Sequence, residues 1–206
     1  MIAVIDYGMG NLRSVQKALE SLGYNAVVTS CPKEIIEADR AILPGVGAFG
    51  DCLAGLREME LYDATLRFID TGKPFLGICV GMQMLFEKSY EFGEHEGIGL
   101  FKGSVKKFPD ILLEKGMKIP HMGWSEIIIR KEHPLLKDIE DRSRFYFVHS
   151  YYAEADNSSS IAAECEYGVR FTAMAAKDNI AATQFHPEKS QKLGLQMLKN
   201  FGEWKC

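Results

Sequence analysis

Phe75-Leu-Gly-Ile-Cys-Val-Gly-Met-Gln-Met-Leu-Phe86 is the stretch from which the architecture can be worked out. Phe75–Ile78 is a short apolar run of β-forming residues, and Met82–Phe86 resumes as the start of a helix, with Cys79 between them. Gly77 and Gly81 stand two residues to either side of that cysteine. Small residues at those offsets allow the sharp strand-to-helix turn of a nucleophile elbow, which projects the central side chain into open space. A strand that ends this way implies a sheet with helices packed on it.

The flanking sequence repeats the strand-to-helix alternation. Upstream, Leu53 to Ile69 carries the periodicity of one helix closed by Gly72, and Ala41–Leu43 predicts a strand stopped by Pro44-Gly45, with the glycine-rich loop Pro44-Gly-Val-Gly47 following. Nearer the start, Ile2–Asp6 predicts a strand. Gly8 and Gly10 break it, and Asn11 caps a helix with Leu12, Val15, Leu19 and Leu22 on one face and Gly23 at its end. Ala26–Thr29 is a further strand, and Pro32 opens a short helix. Four strand-to-helix units imply a parallel sheet covered on both faces.

Downstream the pattern shortens. Phe145–Val148, Ile161–Glu166, Val169–Ala176 and Ile180–Phe185 predict strands, the last two joined by a hairpin turn at Lys177-Asp178-Asn179. Ser190 is a candidate cap for a final helix whose apolar stripe is Leu193, Met197, Leu198, Phe201 and Trp204. About Glu87 to Lys118 reads as irregular. The expected fold is therefore α/β: a flavodoxin-like, mostly parallel sheet with helices on both faces and antiparallel strands added in the C-terminal half. Residues 1–206 are read as a single domain, without repeat, low-complexity tract or linker.

Composition narrows the function classes. The 206 residues are 47% hydrophobic and 25% charged, with a net charge of −4 and no Lys/Arg cluster, which argues against a nucleic-acid or anionic-membrane partner. The longest strongly apolar stretch, Pro74 to Phe86, falls far short of the roughly 20 residues that cross a bilayer. The opening Met-Ile-Ala-Val-Ile-Asp6 has no basic leader and predicts a strand, so the expected location is the cytoplasm. Cys31, Cys52, Cys79, Cys165 and Cys206 are widely spaced and form no C-x-x-C pair, so neither a disulfide scaffold nor a metal site is expected, and no cofactor is called for.

Three local patterns bear on chemistry. Gly8-Met-Gly10 after the first strand invites a dinucleotide reading, which fails because Arg13 stands where G-x-G-x-x-G needs its third glycine. The loop is then a tight turn or an interaction loop. At the elbow, a helix N-terminus just behind Cys79 favours thiolate, and the N–H of Val80 points where a tetrahedral oxyanion would form. In His186-Pro-Glu188, positions i and i+2 of an extended chain face one side, so Glu188 can orient the His186 imidazole. Alone, His-Pro-Glu also suits a solvated strand end. Beside a cysteine elbow it completes a nucleophile, a base and an orienting acid. His95 and His133 sit in charged, surface-like segments.

Together these segments resemble the class I, triad-type glutamine amidotransferases, whose chain order is oxyanion loop, nucleophile elbow, then His and Glu near the C-terminus. The resemblance covers almost the whole chain. Asp6-Tyr-Gly-Met-Gly-Asn-Leu12, Pro44-Gly-Val-Gly-Ala-Phe-Gly-Asp51, His121-Met-Gly-Trp124, Phe147-Val-His-Ser-Tyr-Tyr152 and Phe185-His-Pro-Glu-Lys-Ser190 are similar to the glutaminase subunits of that family that serve histidine biosynthesis. Val80 stands where the family more often has Leu, and Glu91–Gly99 is less typical.

The resemblance implies Cys79 as nucleophile, His186 as general acid and base, Glu188 as its orienting partner, and N–H groups of Val80 and of the loop Val46-Gly47 as oxyanion donors. Gln83, Glu91, Ser150 and Tyr151, with Gly47 leaving room, would hold L-glutamine, Glu91 pairing with its ammonium; a core Gln and a surface Glu are the plainer readings of two of these. Ammonia released into water is protonated and loses its lone pair, so a second active site is implied. By resemblance that site is on a cyclase subunit with a (β/α)8 barrel, in a heterodimer, with Asn11, Arg13, His121, Met122, Trp124 and Lys189 as docking residues. Core packing is the other reading of Trp124. A paralogous subunit feeding a different synthase is the live alternative. A chaperone-like cysteine hydrolase on a similar sheet is disfavoured, because Val80 is not the His usual after its nucleophile and His186-Pro-Glu188 would go unexplained. A non-enzymatic binding subunit is disfavoured because all three triad members are present.

Overall fold

Ile2–Ile5 is buried at all four positions, as a strand covered on both faces must be, and it forms β1, one strand in from the β2 edge of the sheet. The computed structural model describes residues 1–206. In chain order its first half contains β1 (Ile2–Ile5), α1 (Leu12–Ser21), β2 (Ala26–Thr29), α2 (Pro32–Glu37), β3 (Arg40–Gly45), α3 (Phe49–Glu58), α4 (Leu61–Asp70), β4 (Phe75–Cys79) and α5 (Val80–Gln83). The second half contains β5 (Phe86–Ser89), β6 (His95–Glu96), β7 (Phe101–Lys107), α6 (Ile111–Glu114), β8 (His121–Ile129), β9 (Arg144–His149), β10 (Tyr151–Ala155), β11 (Ile161–Glu166), β12 (Arg170–Lys177), β13 (Ile180–Thr183) and α7 (Gln191–Glu203).

Nine strands form the central sheet in the order β2-β1-β3-β4-β13-β12-β11-β8-β9. The first five are mutually parallel, and β12, β11, β8 and β9 are added antiparallel, as the alternation and then the hairpins of the sequence predict. The chain moves one way along the sheet from β1 to β2 and the other way from β2 to β3 and β4. Right-handed crossovers therefore place α1 on one face and α2, α3 and α4 on the other. α7 packs back on α1 and α2 on α4, in agreement. No helix is long and apolar enough to cross a membrane.

Several sequence expectations are corrected. Leu53 to Ile69 is two helices, because Glu60 adopts a left-handed backbone (φ 58°) after the Met59 and Glu60 N–H groups bond back to Gly55 and Arg57. The signal was a slip in the period: the buried residues step from Leu56 to Leu61, and Met59 between them is 40% exposed. Pro44-Gly45 does not stop β3. The strand runs on through Gly45 against β4, beyond the last β1 partner, so the missing Pro44 N–H removes no ladder bond on that side.

The helix after the elbow is a single turn. Segment 98–101 takes the carbonyls a longer helix would use: Ile98 N–H bonds to Met84 O (2.8 Å), and Leu100 and Phe101 N–H to Leu85 O (2.9 and 3.0 Å). The chain then enters a second sheet, order β10-β7-β5-β6, in the stretch expected to be irregular. β8, the longest strand, and β10 were not anticipated either. Ser190 caps nothing with its side chain. Its hydroxyl donates to His186 O (2.7 Å) and accepts from Tyr146 N–H (3.0 Å), tying the His186 turn to β9.

Candidate active site

Cys79 closes β4 with φ 57° and ψ −113°, a backbone that costs about 1–3 kcal/mol and persists only where its surroundings enforce it. The enforcement is close backbone contact. A methyl on Gly81 would lie 1.8 Å from Leu43 O, and one on Gly77 2.9 Å from Gly81 O, so both elbow positions exclude a side chain. β4 thereby delivers Cys79 to the floor of a cleft of about 380 Å³ lined by Val46, Gly47, Cys79, Val80, Gln83, Glu91, Pro120, Val148, His149, Ser150, Tyr151 and His186.

His186 follows β13, the neighbour of β4, and Pro187 opens the single turn that bends Glu188 back to it. The Glu188 carboxylate accepts from His186 Nδ1 at 2.8 Å, with the two side chains 2% and 1% exposed. His186 Nε2 has no partner among the protein atoms and belongs to a residue of the cleft wall. Burial works against the imidazolium, but the Cys79 sulfur and the Glu188 carboxylate outweigh it and hold His186 up at about 10. The helix expected behind Cys79 is present but is a single turn, Val80–Gln83.

The remaining cleft residues come from three directions. The loop after β3 brings Val46 and Gly47. The Val46 carbonyl accepts from the Cys52 thiol at 3.4 Å, which leaves the Gly47 N–H on the opposite side of that peptide. The turn after β5 brings Glu91, whose Oε2 accepts the Phe49 N–H at the start of α3 (2.6 Å); burial raises its carboxyl above the usual range. Ser150 is where the chain leaves β9 of the large sheet for β10 of the small one, so it and Tyr151 reach the cleft from the far side. Gln83 is buried and spends its amide protons on Tyr151 O and Gln184 Oε1, both at 3.0 Å.

Every sequence-predicted catalytic, oxyanion and glutamine-holding residue lines this one cleft except Glu188, which sits behind His186. The docking set separates. Met122 is 63% and Trp124 42% exposed, Arg13 and Lys189 are exposed, and Asn11 is half-buried at the start of α1, against which the Lys189 turn packs. His121 does not share that face and is removed from it. It is 1% exposed and stacked on Tyr167 at 3.9 Å. Side chains alternate along a strand, so His121 and Met122 on β8 cannot point the same way. Trp124 is not core either: it lies edge-on to Tyr146, its partner on β9.

The family model for class-I glutamine amidotransferases matches residues 3–203. The chain belongs to the class-I glutamine amidotransferases. Among curated relatives, this amidotransferase is 54% identical over 206 residues to imidazole glycerol phosphate synthase subunit HisH of Geobacter sulfurreducens, covering 99% of both chains. It is 51% identical over 199 residues to the HisH subunit of Aquifex aeolicus, covering 96% of this chain and 94% of that one. Among solved structures, PurLQS from Thermotoga maritima superposes with a TM-score of 0.76 at 19% identity, covering 98% of this chain and 97% of that one, which supports the fold.

Sequence reasoning missed Pro120, Val148 and His149 in the cleft wall, and Gln184 beside the nucleophile. Pro120 adjoins a quoted motif, and Val148 and His149 lie inside one, Phe147 to Tyr152, so all three were within reach of a reading by spacing. Gln184 was hidden inside an otherwise apolar strand assignment, Ile180–Phe185.

Proposed function

We propose that this amidotransferase hydrolyses L-glutamine through Cys79, His186 and Glu188 and passes the ammonia to the cyclase subunit of an imidazole glycerol phosphate synthase. The observation that carries the reading is the buried 2.8 Å Glu188–His186 pair whose second imidazole nitrogen is unpartnered in the cleft wall that Cys79 shares. The names of the half-identical relatives support the pathway.

In this mechanism the Cys79 thiolate attacks the side-chain amide carbon of glutamine. The N–H groups of Val80 and of the Val46-Gly47 loop take up the oxyanion, and His186 gives its Nε2 proton to the departing ammonia. Neutral His186 then takes a proton from water as it attacks the thioester, releasing glutamate and restoring the thiolate. Glu188 holds the imidazole tautomer and stabilises its charged form. Glu91 Oε1, free while Oε2 is anchored on α3, receives the substrate ammonium, and Gln83, Ser150 and Tyr151 bracket the rest of the amino-acid end.

The acceptor subunit in this proposal is a (β/α)8 barrel that docks as a heterodimer on the face carrying Met122, Trp124, Arg13, Asn11 and Lys189. Its products with ammonia are imidazole glycerol phosphate and the purine-linked by-product AICAR. The chain works as a single domain in the cytoplasm, without metal or cofactor of its own. The test is glutamate release by the purified chain, alone and with a histidine-pathway cyclase barrel, against Cys79→Ala as blank. Release that rises strongly with the barrel supports both triad and pathway. Release indifferent to the barrel assigns the ammonia to another synthase, and release that survives Cys79→Ala refutes the mechanism.

A further inference from the structure

Tyr151 O is an acceptor only, and it fixes the direction of every hydrogen bond around it. Gln83 Nε2 must donate to it, and the same nitrogen donates its second proton to Gln184 Oε1. With its oxygen so engaged, the Gln184 amide has one orientation, and its Nε2 faces Cys79 Sγ at 3.8 Å. On the other side of the carbonyl, His149 Nδ1 donates to Tyr151 O (2.8 Å). His149 Nε2 therefore accepts from His121 Nδ1 (3.0 Å), and His121 Nε2 accepts from the Ser125 hydroxyl (2.8 Å). Burial lowers His149 to about 3 and His121 to about 4, so both are neutral at neutral pH and these tautomers hold.

The strand register accounts for Gln184 as the residue that reaches the sulfur. β13 pairs Thr183 with Ile78 of β4, and one more step brings position 184 level with position 79. Gln184 is fully buried, so its amide protons have no access to solvent. The other polar groups near the sulfur are committed elsewhere. Tyr7 donates its hydroxyl proton to Pro44 O (2.7 Å), and the Cys52 thiol donates to Val46 O. Burial raises the pKa of both Tyr7 and Cys52, so neither contributes a charge at neutral pH. The donors left to the sulfur inside the protein are Gln184 Nε2 and His186.

We infer that Gln184 is a dedicated hydrogen-bond donor to the nucleophile, held in one amide orientation by Gln83 and the Tyr151 carbonyl so that it stabilises negative charge on Cys79 Sγ. It serves the same charge twice, in the free enzyme before attack and on the sulfur leaving the thioester. The inference rests on Cys79 being the nucleophile proposed above. It makes Gln83 a two-sided residue, whose Oε1 is free for substrate while its nitrogen orients Gln184.

The test is the rate of carbamidomethylation of Cys79 by iodoacetamide, followed peptide by peptide so that exposed Cys31 and Cys206 serve as internal references, in wild type and the near-isosteric Gln184→Met. The expected result is about a tenfold slower reaction at pH 6, with rates within about twofold of each other at pH 10. Gln83→Met, which keeps the Gln184 amide but frees its orientation, is expected to lose about threefold at pH 6, and it carries the test should Gln184→Met fail to fold. Equal rates at pH 6 in a folded Gln184→Met, or equal losses at both pH values, would overturn the inference and leave the nucleophile standing. A wild-type Cys79 no faster than Cys31 at pH 6 would overturn the nucleophile and the inference together.

Discussion

One of the two tightest approaches in the molecule lies between β3 and the elbow, and it makes Gly81→Ala a demanding test of the site's construction. The added methyl would sit 1.8 Å from Leu43 O and 2.9 Å from the Leu43 carbonyl carbon. An ordinary carbon–oxygen contact is about 3.3 Å, so one backbone must retreat by about 1.5 Å. Neither side yields easily. Leu43 is paired with Gly77 inside the sheet, and Gly81 stands two residues after Cys79, already held at φ 57°. Overpacking of this kind costs about 1–3 kcal/mol, and at the upper end, with 2–4 °C lost per kcal/mol for a chain of this size, the melting temperature should fall by roughly 6–12 °C. Activity should fall further than stability. A displacement above 1 Å between nucleophile and oxyanion loop is worth on the order of 10²-fold, and Cys79 is two residues from the insertion. Scanning fluorimetry and glutamate release measure the two effects. Gly99→Ala is the control: unlike Gly81, which sits in the helical turn α5, Gly99 has a positive φ of 77°, but nothing lies within 4 Å of the added atom, so it should show only the left-handed backbone cost of about 1–2 kcal/mol and full activity. A Gly81→Ala protein with wild-type melting and turnover within threefold of wild type would refute the reasoning that this contact fixes the elbow.

Other perturbations separate the roles of individual residues. Cys79→Ala should abolish glutamate release, whereas Glu188→Gln, which keeps the His186 contact but not the charge, should retain a measurable residue, roughly 10²–10⁴-fold down; equal activity of the two variants would contradict the assigned roles. His186 is held up at about 10 in the fold against 6.5 when unfolded, so its contribution to stability is complete below pH 6.5 and lost as pH rises towards 10. Melting temperatures of wild type should therefore fall more steeply than those of His186→Gln across that window, and parallel curves would remove the ion pair from the account. His149 and His121, lowered to about 3 and 4, act in the opposite sense: their contribution is complete above pH 6.5 and lost as pH falls towards 4, so His149→Gln should show a shallower acid decline in melting. Asn200 is buried and donates to Leu135 O (3.0 Å) and Lys137 O (2.7 Å), so Asn200→Ala should cost about 2–3 kcal/mol in urea unfolding without touching glutaminase activity.

What was legible in the sequence follows the physics of local signals. β1, β2 and β11 begin and end within a residue of where the local pattern places them, and α2 begins at the proline that opens it, because each is decided by a few adjacent residues. Cys79, His186 and Glu188 were legible for the same reason: an elbow needs its glycines close by, and an i, i+2 pair needs only an extended chain. The second sheet was not, because β5 and β6 are too short to show a period, Gly103 fills a buried position of β7 where an apolar side chain would mark the alternation, and all three are held by pairings with one another and with β10, some 50 residues beyond β7. The length of α5 was set the same way, by carbonyl partners at 98–101 that no window around Cys79 contains. His121 was misassigned by treating a quoted motif as a surface when strand alternation divides it between core and solvent.

The arrangement also shows why so few local signals suffice to make a site. The groups proposed for the chemistry come from the ends of β3, β4 and β13, three adjacent parallel strands whose carboxyl ends face one way. Neighbouring strands lie about 4.8 Å apart, so the register Gly45↔Cys79 and Thr183↔Ile78 already brings the oxyanion loop and the imidazole to either side of the sulfur before any side chain is chosen. β13 reaches its place through a two-residue hairpin from β12, with Asp178 at φ 51°, rather than through a helical crossover from β4. The chain between β4 and β13 is thereby free to build the second sheet, which returns Glu91, Ser150 and Tyr151 to the open side of the cleft. A parallel sheet supplies the alignment of the reacting groups, and the antiparallel half supplies the far wall. A shift of β13 by a single residue would put position 185 or 183 level with Cys79 and move the side chain facing the sulfur to the opposite face of the strand, so the register of β13 against β4, more than any one contact, is what the chemistry depends on.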